Sequence, residues 1–208
     1  MELDRSRTGR RNLLLASLPA KDFALLAPHL KDIVLEQGAV LQEHGERIDQ
    51  VYFPHHGIVS LLAVMRQGDA IETATIGYEG AVGSFAGLGS RRAHTRAVVQ
   101  VRGSASRIAA SRFRQVAEDS EAVCRIVVRY GEMLLIQVQQ TAACNALHPV
   151  EARLSRSLLQ GPRPARKQHH QAHPRILVAD ARRAPHDRDR RRQYAAAGRS
   201  HPLSPRAH

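Results

Sequence analysis

Apolar positions along the chain follow three successive periods. Residues 11–30 carry RNLLLASL and then AKDFALLAPHL, a spacing that predicts two short helices with Pro19 opening the second. Proline suits a helix start because the N–H it lacks would have no partner there. From Lys31 the period drops toward two. DIVLEQG, AVLQEHG, QVYFPHHG, IVSLLAVMRQG and AIETATIG, then TRAVVQVRG and SASRIAA, read as short antiparallel strands closing into a roll or barrel. Gly38, Gly45, Gly57 and Gly68 fall where turns need a positive φ. The period then lengthens again. Ser111–Glu118 predicts a short helix and Glu121–Leu147 a single long one. In the latter Val123, Ile126, Val127, Tyr130, Leu134, Val138, Ala142 and Leu147 recur at three- and four-residue steps. His148-Pro149 ends that helix, and Pro149 opens PVEARLSRSLL with Glu151 near its positive end.

The expected fold is therefore mainly a β-roll or barrel with flanking helices and a long C-terminal helix, α+β in total. A small roll cannot cover so long a helix, so part of the apolar stripe should meet a second copy. Val123, Val127, Leu134 and Val138 are the expected seam of a homodimer. The alternative is a helix folded back on its own roll.

Charge divides the chain. Residues 161–208 hold 12 of the 31 Lys and Arg, 3 of the 19 Asp and Glu, 6 of the 12 His and 6 of the 10 Pro. They account for +9 of the formal +12, so the high pI describes this tail and not the part with a core. With one apolar run, Ile176–Val178, the tail is expected to be disordered and to bind polyanions weakly and without base readout. No apolar run is long enough to span a membrane. The run Leu13–Leu18 is too brief for a signal peptide and Asp22 follows it, so a cytoplasmic location is expected. Cys124 and Cys144 fit buried thiols in a reducing compartment better than a metal site or a disulfide framework.

Catalytic patterns are thin. No Ser-His-Asp or paired-carboxylate constellation stands out, so no enzyme activity and no catalytic residue is expected. His55-His56 raises a cupin-like metalloenzyme as an alternative, but neighbours on a strand point to opposite faces and make poor co-ligands. No metal is therefore expected. A free-standing binding module with a basic nucleic-acid arm is the other alternative.

GYEGAVGSFAGLGS followed by HTRAVVQVRG, then the long helix and HPVEARLSRSLL, stand in an order that resembles the Crp/Fnr family of bacterial transcription regulators. The resemblance covers roughly residues 11–160. It implies a cyclic-nucleotide-binding-type jelly roll over 11–120, a dimerisation helix over 121–147 and the start of a DNA-binding domain over 148–160. It also implies an effector pocket. Relatives that bind cyclic nucleotides cradle the phosphate at a short helix after a glycine, pair it with an arginine, and bind the ribose through a glutamate. The matching residues are Gly80, Gly83, Ser84 and Arg96, with Arg91 and Arg92 nearby. Ser84 stands where the family has Glu, and a hydroxyl cannot supply the charge-assisted acceptor, which argues against cAMP or cGMP as effector.

Intact family members continue into a helix-turn-helix that reads the major groove. Here residues 161–208 turn to Pro, Arg and His instead. Shifted by one base, the codons of Ile176–Asp189 can spell FLSQMLGVRRTTVT, and those of Gly198–Ala207 can spell AGLIRYRRGH. The first has a helix-turn-helix pattern and the second resembles the wing that follows it. A one-base slip near codons 159–163 is the expectation, and with it the loss of operator recognition by this chain.

Overall fold

The computed structural model describes residues 11–149, 151–153 and 155. Two short helices come first, α1 (Leu13–Ala16) and α2 (Ala20–Leu26), followed by a 3-10 turn at Ala27–His29. Asn12 caps α1, its Oδ1 accepting from Leu14 and Leu15 N–H, while Pro19 stands just before α2. Five strands follow: β1 (Lys31–Leu35), β2 (Val40–Gln42), β3 (Gln50–Val64), β4 (Ala70–Ile76) and β5 (Arg96–Ala109). They form one antiparallel sheet in the order β1-β5-β3-β4, with β2 also on β5. Helices α3 (Ala110–Asp119) and α4 (Glu121–Leu147) follow, and residues 151–153 and 155 beyond them are helical. This is the roll with flanking helices that the pattern predicts, of the jelly-roll kind the resemblance implies, and α4 spans the predicted residues.

The strands are fewer and longer than the glycine spacing suggests. QVYFPHHG and IVSLLAV form one 15-residue strand, β3, and RAVVQVRG and SASRIA form one 14-residue strand, β5. Gly57 has φ +88°, as expected, but it lies inside β3 rather than at a turn. A Cβ there would stand 2.5 Å from the Val101 carbonyl oxygen, and one at Gly103 would run into the His56 carbonyl. The two glycines let β3 and β5 pass through a stretch where the pairing register shifts.

Two apolar clusters result. The roll interior holds Leu35, Val59, Leu61, Ala74, Ile76, Val82, Ala97, Val99 and Ala105. The second cluster joins the other ends of β3 and β5 to helices α1, α2, α3 and α4, with Phe53 edge-on to Phe113 at 5.7 Å. Val123 and Val127 of α4 are 0% and 3% exposed within this second cluster. They pack into their own chain and not toward a surface, which corrects their place in the expected seam. Leu134 and Val138 are half-buried against the roll interior. Among the described residues no helix is long and apolar enough to cross a membrane. The tail over 161–208, the shifted-frame segments and residues 156–160 lie outside the described residues.

Candidate functional site

The segment between β4 and β5 carries three of the four expected pocket residues. Val82 exchanges two backbone hydrogen bonds with Tyr52 of β3, at 2.9 and 3.0 Å, which pins the segment to the sheet. Gly83 then turns the chain with φ +76° into the 3-10 helix Ser84–Leu88. A Cβ on Gly83 would stand 2.8 Å from the Gln50 carbonyl oxygen and 3.1 Å from Ile48, so turn and close approach both require glycine. Gly80 serves packing of another kind. A Cβ there would meet the Tyr130 hydroxyl of α4 at 2.7 Å, and the Gly80 carbonyl accepts from buried Asn12 at 2.9 Å. Burial pushes the Tyr130 phenol well above its ordinary range, so it stays neutral.

The four expected residues do not converge. Ser84 is 2% exposed and lines an apolar void of about 10 Å³ among Leu15, Phe53, Phe113 and Val127, room for one water at most. Arg96 alternates with Ala97, an interior residue, and so stands on the opposite face of β5. Its Nε donates to Glu43 Oε2 at 2.8 Å, with both side chains partly solvated. Burial alone would raise the Glu43 carboxyl. The Arg96 hydrogen bond, the His44 backbone N–H and the nearby positive charges outweigh it and hold the group below its usual value. An incoming anion would have to displace Glu43 from Arg96. Arg92 is occupied too, donating to the Gly45 carbonyl at 2.9 Å.

Sequence reasoning missed a cleft of about 200 Å³ between β2 and the start of β3, lined by Leu41, Gln42, Glu43, Ile48, Gln50 and Tyr52 among others. Ile48 and Gln50 are the residues that touch Gly83, so the cleft adjoins the glycine turn. Its rim carries Glu46, Arg47 and Asp49, with Arg47 paired to Asp49 at 2.7 Å. Carboxylates outnumber guanidinium groups on these walls, the reverse of a phosphate cradle. Only folding brings residues 40–52 around one space, and no motif marks it in the chain.

Histidines 55 and 56 fall on opposite sides of β3, one buried and the other exposed. Among the described residues no group of three or more His, Cys, Asp or Glu could hold a metal ion.

Residues 32–120 match the family model described as the cyclic nucleotide-binding domain. The roll has the cyclic nucleotide-binding fold. That name describes an architecture, and the ligand of this cyclic nucleotide-binding-type roll is a separate question. The c-di-GMP responsive global regulator CLP of Xanthomonas campestris is similar over 89% of this chain and 96% of its own, with a TM-score of 0.62 and 14% identity. At that identity the likeness is one of fold alone. The N-terminal domain of a transcriptional regulator from Streptomyces coelicolor A3(2) matches with a TM-score of 0.47 and 18% identity, over 65% of this chain and 94% of that one. A cyclic nucleotide-binding-like protein from Brucella abortus matches with a TM-score of 0.44 and 26% identity, over 55% and 98%. No curated protein sequence matches the chain.

Proposed function

We propose that this chain is the effector-sensing and dimerisation part of a Crp/Fnr-type transcription regulator, cytoplasmic and regulatory rather than catalytic. The observation that carries the reading is a second apolar stripe on α4, beside the buried one. Cys124, Val128, Gly131, Leu135, Val138 and Ala142 follow one another at alternating four- and three-residue steps. That is the spacing of a coiled-coil seam. Val128 and Leu135 are 44% and 56% exposed, whereas Val123, Val127 and Tyr130 of the neighbouring stripe are buried in the chain's own core. Met133 and Ile136 are also exposed, on the flank of the seam. A parallel pair of α4 helices about the two-fold axis of a homodimer would cover it. The seam proposed here keeps Val138 and replaces Val123, Val127 and Leu134 with Val128 and Leu135.

Effector binding would act by favouring one arrangement of this pair over another. Ser84 in the glutamate position, Arg96 held by Glu43 and the carboxylate-rich cleft all argue for an effector other than cAMP or cGMP. Calorimetry with cAMP, cGMP and c-di-GMP, the last chosen because CLP responds to it, tests the effector. Saturable heat with cAMP or cGMP would refute that part of the reading. Sedimentation velocity tests the dimer. Leu135→Asp is expected to turn a dimer into a monomer, raising the dissociation constant about tenfold for each 1.4 kcal/mol lost. A protein that is monomeric before mutation would sink the proposal. DNA recognition would belong to the C-terminal head of the family, a pattern that residues 161–208 do not spell in this frame. The nucleotide sequence across codons 159–163 decides whether a frame slip removed it.

A further inference from the structure

His55 is 3% exposed, yet two hydrogen bonds link it to the surface. Its Nε2 lies 2.9 Å from the Ser106 hydroxyl on β5, and that hydroxyl donates to Asp32 Oδ1 on exposed β1 at 3.1 Å. A serine has one proton to give. With that proton on Asp32, the Ser106 oxygen accepts from His55, which must carry its hydrogen on Nε2. Neutral imidazole satisfies the chain, and charging it adds a proton at Nδ1.

The neighbouring residue anchors the N-terminal helices. Asn12 is fully buried and donates to the Pro54 carbonyl at 2.9 Å and to the Gly80 carbonyl at 2.9 Å, while its oxygen caps α1. Arg11 immediately precedes it. The charged and titratable groups acting on His55 are Asp32 from β1, Arg11 from the N-terminal segment and His56 from β3 itself. β5 supplies the uncharged Ser106.

We propose that His55, Ser106 and Asp32 form a proton-sensing latch that holds the N-terminal helices on the roll. Acid charges His55 in its buried site, and the cost of holding that charge away from water, with Arg11 adding repulsion, loosens the Asn12 clamp one residue away. Burial foremost, with Arg11 and His56, disfavours the charged imidazole, while Asp32 works in its favour. Loosening then reaches α4. Leu15, Phe23 and Leu26 share a core with Val123 and Val127, and Asp22 of α2 accepts from Ser120 at the start of α4 at 2.7 Å. The latch is independent of the effector and dimer readings.

The test uses the full chain with labelled histidine. Its His55 ring signal and its amide exchange are followed from about pH 8 to 5, the range where histidine changes charge. Exchange is corrected for the intrinsic pH effect. Protection over residues 12–26 should fall about tenfold or more as His55 charges, while the β3–β5 ladder keeps its protection. His55→Gln retains a donor for Ser106 and should flatten this response; His56→Gln should keep it. If charging of His55 leaves protection over 12–26 unchanged, or if His55→Gln responds as the wild type does, the latch is refuted. Should His55→Gln fail to fold, the wild-type titration alone decides.

Discussion

Glycine 57 and glycine 103 show what one residue does in this fold. Each lies where β3 and β5 approach so closely that a methyl group would strike a carbonyl of the opposing strand. Gly57 also has a backbone that L side chains rarely adopt. Gly57→Ala is expected to destabilise the protein by roughly 2–4 kcal/mol through strain and overpacking combined. Urea denaturation measures it, and a loss below about 0.5 kcal/mol, the usual range for neutral surface changes, would contradict the account. Ser120 is a second such residue. Its hydroxyl caps α4 by accepting from Val123 N–H and donates to buried Asp22. Ser120→Ala should therefore cost more than the about 1 kcal/mol of a lost cap, because it also removes the donor from a buried carboxylate. A matching Asp22→Asn, Ser120→Ala double mutant, compared with the two single changes, measures the coupling.

At the scale of elements, α4 has two apolar faces with separate uses. The face of Val123, Val127 and Tyr130 holds the helix to its own roll, and the adjacent face of Val128 and Leu135 is left uncovered. In a parallel pair, seam residues meet their own counterparts, so Cys124 of one protomer should face Cys124 of its partner. Cys124 is a free, partly exposed thiol, and Cys144 is free and buried. Mild oxidation should give a reducible covalent dimer that Cys124→Ser abolishes and Cys144→Ser does not, as read on a non-reducing gel. A crosslink that depends on Cys144 would point to another pairing. The ring of Phe85 lies against Gly131, itself one of the seam positions, so the short helix that follows Gly83 touches α4 at this face.

For the whole molecule, two charge arguments give opposite kinds of expectation. His55 has its folded pKa lowered from 6.5, chiefly by burial. The unfolded chain then binds the proton more readily, so stability present above about pH 6.5 is lost as pH falls through the lower folded value. Glu43 is lowered from 4.5, and its smaller, solvent-screened contribution is lost in a more acid window. Denaturation midpoints should therefore begin to fall below about pH 6.5, and His55→Gln should remove that first step. The tail's charge makes the other expectation. The +9 carried by residues 161–208 should give weak DNA binding that drops steeply with salt and does not distinguish an operator from a scrambled duplex. Fluorescence anisotropy at two salt concentrations measures this, and a sequence preference would contradict the frame-slip reading.

Local periodicity was enough to determine the order of elements: short helices, a roll, and a helix over Glu121–Leu147. Alternation and three-to-four spacing are properties of neighbours in the chain, and the two thiols, the absence of a metal pattern and the charged tail are equally local. Joining runs into the long strands β3 and β5 was not legible, because glycine marks a turn and a bulge in the same way, and only cross-strand pairing distinguishes them. The candidate site was legible only as a segment. Gly83 and Ser84 sit at the expected turn, but the side to which Ser84 and Arg96 face depends on strand register and on Glu43, distant in the chain. The same holds for α4. Its sequence shows an apolar helix broad enough for two stripes, and only the tertiary structure decides which stripe the chain's own core consumes and which it leaves exposed.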